Sequence, residues 1–302
     1  MVDLWLDDAP AYGLNGTAYS CDMYSGKAVS LIEDHAANHA DQGMFMYLPF
    51  HDVHEPYEAE DRFIDPSITD KGRQTMAAMV SCVSEGTGNV SRALRQAGMW
   101  ETTLFLWSAD NGGPQYWLGN NCELSACVLF CGLCACAARP FPDRRIVATA
   151  DPLRGGKGVD FEGGVAGAAF VTGGALPSHL WGLASDSPMH VADLHFTICR
   201  LAGLTDAACR DDAIPGVPPV DGIDFRAAFQ SVNVSRPLSQ GQGASAGTQE
   251  IVLSSNGGPS GDQELGNLTG AYIDFNLTNG GPWKFVRNTS TVLKNAGSPI
   301  GR

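Results

Sequence analysis

The sequence predicts an α/β fold with a sheet covered on both faces, and three consecutive segments carry that prediction. Gly43–Phe50 (GMFMYLPF) is a continuous apolar run with the length of a buried strand. From Asp70 to Trp100, Met76, Val80, Val83, Val90, Leu94 and Ala97 recur at helical spacing or its multiples. Thr103–Ser108 (TLFLWS) is a second apolar run. Two strands joined by a helix-length crossover imply parallel pairing, and parallel sheets are covered on both faces.

The other elements follow in chain order. Asp22–Ala37 places Ala28, Leu31 and Ile32 at helical spacing, so a helix precedes the first strand. The long helix stops at Gly98, a residue that suits the left-handed cap. Met189–Ala202 reads as another helix, closed by Gly203. Beyond Pro215 the texture changes, and the Gly/Ser/Gln-rich stretch SQGQGASAGTQ precedes three short strand-like runs, Ile251–Ser254, Ala271–Phe275 and Trp283–Arg287. Short strands separated by Gly and Asn predict a small antiparallel region. The division is therefore 1–235 for the main domain and 236–302 for a small sheet region, with no internal repeat.

Composition narrows the function. The chain of 302 residues carries 19 Lys+Arg against 33 Asp+Glu, a net charge of −14, which argues against nucleic acid as a partner. Only 17% of residues are charged, while 36 Gly and 17 Pro predict a loop-rich protein. The most apolar stretch, Ala126–Ala138, is shorter than the ~20 residues that cross a bilayer, so no membrane span is expected. The opening MVDLWLDDAP has neither a basic nor an apolar leader region. Six Asn-X-Ser/Thr sequons, at Asn15, Asn89, Asn233, Asn267, Asn276 and Asn288, nonetheless point to the secretory pathway, so the chain is expected to begin inside a domain.

Four places hold residue types that do chemistry. Ser108-Ala-Asp-Asn-Gly-Gly113 begins where a strand ends, the position at which ligands bind open α/β sheets. Asp110 and Asn111 offer the hard oxygens that Ca²⁺ or Mg²⁺ takes; an Asx-type turn explains the same residues without a metal. Downstream, Pro152-Leu-Arg-Gly-Gly-Lys-Gly158 precedes Phe161-Glu-Gly-Gly-Val165, and Lys157 in that glycine-rich loop is suited to an oxyanion or to plain solvation. The loop is not a phosphate-binding P-loop, because its spacing differs and no Ser or Thr follows the lysine. His51-Asp-Val-His-Glu55 leaves the first strand; in extended structure His51 and His54 face opposite ways, so one histidine works alone or both are structural. His190, Asp193 and His195 resemble a metal set, but only the first two share a helical face, and capping is the favoured reading.

In this order the motifs resemble the sulfatase family, within it the arylsulfatase B-like branch. The match runs through VSCVSEGTGNVSRALRQAGMWETTLFLWSADNGG (Val80–Gly113), then Gly119-Asn-Asn121, then PLRGGKG and EGG. VHEP (Val53–Pro56), HVAD (His190–Asp193), DGIDF (Asp221–Phe225) and GPWKF (Gly281–Phe285) fall in the same order, so the likeness covers most of the chain. The resemblance implies an alkaline-phosphatase-like α/β sandwich with a central mixed, mainly parallel sheet and a smaller C-terminal antiparallel sheet. It implies a sulfuric ester hydrolase that uses one Ca²⁺, acts on sulfated sugars or aryl sulfates, and is lysosomal or extracellular. By position Asp110 and Asn111 match the later pair of calcium ligands, Lys157 the sulfate-binding lysine, and His54 the active-site histidine. Cation and Lys⁺ neutralise charge on a transferring sulfuryl group, and an imidazole protonates the departing oxygen.

Two departures from the family pattern set limits. The Cys/Ser-X-Pro-X-Arg motif that yields the formylglycine nucleophile, an early calcium-binding Asp pair and a Gly-Lys-X-His stretch have no match here. Ser235-Arg-Pro-Leu-Ser239 lacks the final Arg, and Asp7-Asp8 precede no predicted strand and read as a solvated pair. This predicts a chain inactive alone, and the alternative is a non-catalytic secreted glycoprotein that binds sulfated glycans through Lys157. A related phosphoric-ester hydrolase is disfavoured, since such relatives carry more metal-binding histidines. The second departure is residues 122–151, with Cys122, Cys127, Cys131, Cys134 and Cys136, five of the nine cysteines. Cys131-X-X-Cys134 has no second pair at zinc-site spacing, so an atypical surface insertion or translated non-coding sequence is favoured over a metal or redox site. Cys199 and Cys209 lie close enough for a local disulfide, as in an oxidising compartment.

Deleting residues 122–151 is expected to leave the melting temperature unchanged or raise it, and to raise soluble yield, because lengthening a surface loop mainly adds slowly growing closure entropy. A deletion variant melting several degrees lower would show that the stretch packs into the fold.

Overall fold

A computed structural model describes residues 4–14, 16–113, 153–154, 157, 161–184, 189–210, 215, 220, 222–229, 250–254, 270–274 and 283–287. The 122–151 stretch and the 235/236 division lie outside them. The chain opens with a short hairpin, β1 (Trp5–Leu6) against β2 (Ala9–Pro10). Asp7, at φ +53°, and Asp8 form its turn, so the acidic pair is exposed as expected but does precede a strand. Aspartate tolerates this left-handed backbone better than most residues.

Two helices organise the next hundred residues. α1 spans Ser20–Asn38 and α2 spans Lys71–Gln96, close to the predicted bounds. Asp70 caps α2 by accepting the Arg73 N–H at 2.8 Å, and the chain turns away at Gly98, φ +69°. The helices run side by side in the same direction. Cys21 is joined to Cys82 by a disulfide; a Cβ at Gly86 would stand 3.1 Å from the Ser25 Cβ; and Ala28 and Ile32 form one buried cluster with Val90, Ala93 and Leu94. The buried face of α2 is rotated from the predicted stripe. Met79, Cys82, Val83 and Gly86 face inward while Val80 is 48% exposed, because α1 approaches along the small residues.

Gly43–Phe50 is extended but carries no strand ladder among the described residues. Met44, Met46 and Leu48 pack on the helix-pair cluster, whereas Phe45 and Tyr47 point outward, 71% and 80% exposed. The apolar run thus buries one face with strand periodicity, and the two-sided burial predicted from it is corrected. β3 (Phe105–Ser108) is present, and Phe105 packs on the same cluster. Its described partner is antiparallel: β4 (Ala169–Thr172), which pairs Phe105 with Thr172 through to Ser108 with Ala169. The expected parallel pairing of the two predicted strands is not among the described ladders.

Further on, α3 is one turn, Glu162–Val165, and α4 spans Val191–Leu201. The favoured capping role of His190 holds: its Nδ1 accepts the Ala192 N–H at 3.2 Å, and Asp193 Oδ2 accepts the His190 N–H at 2.8 Å. Asp193, 1% exposed, also accepts the Ile223 N–H through Oδ1 at 3.0 Å. One turn later, the Thr197 hydroxyl donates to the Ile223 carbonyl and accepts from the Phe225 N–H. The HVAD and DGIDF motifs are therefore a structural staple. α5 (Asp206–Arg210) follows, and the expected Cys199–Cys209 disulfide ties it to α4. β5 (Glu250–Ser254), β6 (Gly270–Asp274) and β7 (Trp283–Arg287) form the predicted antiparallel sheet in the order 5-6-7.

Asp193→Ala removes both carboxylate bonds and leaves two donors without partners, one of them at the buried Ile223. We expect a loss of about 2–4 kcal/mol in urea-unfolding stability; a loss below ~0.5 kcal/mol would show that solvent or other groups replace the staple.

Candidate active site

The site is built where β3 ends. The Ala109 N–H donates to the Ala168 carbonyl at 2.8 Å, which extends the β3–β4 pairing by one rung. The chain then bends through Asp110 and Asn111, and the Gly112 N–H donates to the Gly164 carbonyl at 3.0 Å. That contact needs glycine: a Cβ on Gly112 would lie 1.7 Å from the Gly163 carbonyl oxygen. The glycine-rich segment reaches the same point from the other side. The Lys157 N–H donates to the Gly113 carbonyl at 3.0 Å, and the Gly163 N–H donates to the Arg154 carbonyl at 2.7 Å. The Arg154 guanidinium lies over the Phe161 ring, 4.1 Å from its centroid, and fastens the base of the loop.

Backbone bonds thus bring the segment carrying Asp110 and Asn111 to the segment carrying Lys157. Asp110 and Lys157 are exposed, and Asn111 is half-buried. Asp110 Oδ1 accepts the Asn111 N–H at 2.8 Å, and Asn111 Nδ2 donates to the Gly112 carbonyl at 2.9 Å. The Asx turn is therefore present, and it orients the pair: Asn111 must turn its side-chain oxygen away from the Gly112 carbonyl. One carboxylate and one amide oxygen are donors a hard cation takes, though two groups are fewer than the six to eight oxygens around Ca²⁺.

His54 lies on a separate loop. The Ser20 hydroxyl donates to Asp52 Oδ2 at 2.7 Å and pins that loop to the start of α1. His54 Nδ1 is 3.2 Å from the Glu55 carbonyl; donation along that contact leaves Nε2 as the exposed nitrogen. The rings of His51 and His54 come within 6.4 Å between centroids. The opposite-facing arrangement expected for an extended chain is corrected, because the backbone bends through Val53–Pro56. Among the described residues no contact joins this loop to the Asp110–Lys157 junction. Sequence reasoning found each side chain and both Gly-Gly pairs but missed that Gly112 packs on Gly163 and Gly164, since the ladder that brings the pairs together is invisible without β4.

Acidic, amide and lysine residues thus stand on two segments joined by backbone bonds at the C-terminal end of β3. Residues 6–204 match the sulfatase family, and the chain belongs to that family, of the alkaline-phosphatase superfamily. The chain is 27% identical over 202 residues to mouse (Mus musculus) arylsulfatase J, covering 66% of this chain and 28% of that protein's length. The solved structure of Ps i-CgsB in complex with k-i-k-neocarrahexaose is similar at 26% identity, TM-score 0.52, over 70% of this chain and 38% of that one. The PsFucS1 sulfatase from Pseudoalteromonas sp. shares the fold at 19% identity, TM-score 0.53, over 88% of this chain and 44% of its own. These likenesses assign an alkaline-phosphatase-like α/β fold; the chain spans less than half the length of each of these relatives.

Gly112→Ala places a methyl group on the Gly163 carbonyl and is expected to separate the two site segments, with a stability cost of about 2 kcal/mol or more. Amide exchange at Gly112 and Gly164 that stays as slow as in the parent would show that the junction tolerates the side chain.

Proposed function

We propose that this chain carries the substrate-binding part of a sulfuric ester hydrolase acting on sulfated sugars or aryl sulfates. The observation that carries this reading is the backbone junction that brings the cation-ligand pair Asp110 and Asn111 to Lys157. Asp110 and Asn111 would hold a divalent cation, Ca²⁺ by their oxygen donors, and that cation would supply charge neutralisation at the sulfuryl oxygens. Lys157 adds a point charge to the same anionic group. His54, with Nδ1–H on the Glu55 carbonyl, presents Nε2, and a proton held on that nitrogen would pass to the departing alcohol oxygen. The central mixed sheet belongs to this reading, with the outward row of Phe45 and Tyr47 as a face that a further strand layer would cover.

No Cys/Ser-X-Pro-X-Arg segment occurs within the 302 residues, so none of these groups has a nucleophile to assist. The alternative, a secreted glycoprotein that binds sulfated glycans without cleaving them, uses the same Lys157 and the same absence. A saccharide bound to a related protein supports the sugar class for either reading, since the Ps i-CgsB structure holds k-i-k-neocarrahexaose.

The purified chain is expected to show no turnover of a chromogenic aryl sulfate. It should bind a sulfated oligosaccharide in calorimetry, at least about tenfold more weakly after Lys157→Ala. Ca²⁺ alone should bind more weakly than micromolar because two side chains complete less than half of its shell. Turnover lost on Lys157→Ala would overturn the predicted inactivity, and binding unaffected by that substitution would overturn the site.

A further inference from the structure

The C-terminal end of α1 carries a histidine pair that the site at β3 does not use. His35 lies in the last turn and His39 is the residue that caps it, so the two stand at the i, i+4 spacing that puts side chains on one helical face. Two histidines at that spacing are a known way for a helix to chelate a metal. Their ring centroids are 6.1 Å apart and the planes are tilted by 37°. Imidazoles that share a tetrahedral ion stand about 5 Å apart between centroids, given metal–nitrogen bonds of ~2.0–2.1 Å. Rotation about side-chain bonds closes that difference, since His39 is exposed and His35 only half-buried.

The surroundings prepare the pair for a cation. His35 Nε2 is 3.2 Å from the Gln42 carbonyl oxygen. A carbonyl can only accept, so the proton sits on Nε2 and the lone pair of the neutral ring on Nδ1. Ligating imidazoles are held in this way, by a bond from the nitrogen that does not bind the metal. The backbone delivers the acceptor: the His39 N–H donates to the His35 carbonyl at 2.8 Å and the Gln42 N–H to the His39 carbonyl at 2.9 Å, which turns Gln42 back onto the helix end. The local field has the right sign as well. Residues 33–41 hold Glu33, Asp34 and Asp41 and no Lys or Arg, and the last carbonyls of α1 form the negative end of the helix dipole.

We infer that His35 and His39 form a bidentate site for a divalent transition ion of the Zn²⁺ type, with water in its remaining positions. Imidazole nitrogen selects such an ion over Ca²⁺ and Mg²⁺, which take oxygen, so this site is chemically distinct from Asp110 and Asn111. It is also independent of the sulfuryl chemistry proposed above. The ion ties the last turn of α1 to the turn His39–Gln42, from which the Gly43–Phe50 run sets out toward His51–Glu55. With two protein ligands it exchanges readily and braces the helix end without building a core around itself.

Zn²⁺ is the probe, and the readout is acylation of the full chain by diethyl pyrocarbonate, followed at each histidine by peptide mass spectrometry. His195, exposed on α4, is the internal reference. At ~0.1 mM Zn²⁺ the acylation of His35 and His39 is expected to fall at least about threefold relative to His195, and in His39→Ala the protection of His35 should need at least about tenfold more Zn²⁺. Equal protection of His35 in the parent and in His39→Ala overturns the shared site, because an ion held by one imidazole needs no second. Full acylation of both rings at ~1 mM Zn²⁺ overturns the site altogether. Should circular dichroism show that His39→Ala shortens α1, His39→Asn, a residue that suits a helix end, takes its place with the same readout. Sulfate-ester turnover does not enter the measurement, so failure of the sulfatase reading leaves its outcome untouched.

Discussion

The approach of α1 to α2 is the constraint on which the described fold depends. At Gly86 the helices are so close that an added methyl group would meet both the Ser25 Cβ, at 3.1 Å, and the Phe50 ring, at 3.2 Å. This spacing lets Cys21 and Cys82 bond across the pair, a closure of 61 residues worth about 4 kcal/mol in the loop-entropy account. It brings Ala28 and Ile32 against Val90, Ala93 and Leu94, and their joint surface is what Met44, Met46, Leu48 and Phe105 rest on. Both site-bearing segments leave that surface: the extended run leads into His51–Glu55, and β3 leads into Asp110. Arg62 reinforces the pair from outside. It bonds Asp22 of α1 and Glu85 of α2 at once, and its bond to Glu60 holds that carboxyl below the usual range, while burial pushes Asp22 up.

The second layer of organisation is backbone, not side chain. Apart from the Asx bond between Asp110 and Asn111, the groups of Asp110, Asn111 and Lys157 are carried to one place by amide–carbonyl bonds at Gly112, Lys157 and Gly163. The Asx turn engages Asp110 Oδ1 and Asn111 Nδ2 and leaves Asp110 Oδ2 and Asn111 Oδ1 outside its bonds, and glycine is demanded at the crossing because carbonyl and amide must meet at hydrogen-bond distance with nothing between them. The HVAD and DGIDF motifs do the opposite. There Asp193 and Thr197 spend their polar atoms on the backbone of Ile223 and Phe225, which fixes two segments and leaves no chemistry to perform.

Much of this was legible in the residues, for reasons that differ by element. Gly98 and Gly203 marked helix ends because both take positive φ, and the spacing of Cys199 and Cys209 suits one local bridge. His190 read as a cap because position along α4 decides its bonding. The pairing of Gly43–Phe50 was not legible: an apolar octapeptide looks the same whether one face or two are covered, and only the tertiary arrangement leaves Phe45 and Tyr47 outside. β4 was missed because four residues between glycines give too short a period to read. The rotation of the α2 face was missed because Gly86 and Cys82, small residues, contribute contact without adding to an apolar pattern. Of the site, residue types and order were visible, and the family resemblance supplied their roles. The bend that draws His51 toward His54 was not visible, since it follows from the path of Val53–Pro56.

The uncovered row of Phe45 and Tyr47 has a colloidal consequence. Gly43–Phe50 and β3 contain no charged residue, and charge is the usual guard of an unpaired strand against its own kind. What keeps two such chains apart is the field of the whole molecule, −14 in net charge. That repulsion reaches only about 8 Å at physiological ionic strength. Self-association through this row is therefore expected to depend on the salt in the buffer, dilute salt keeping the chains apart where concentrated salt lets the aromatic rows meet.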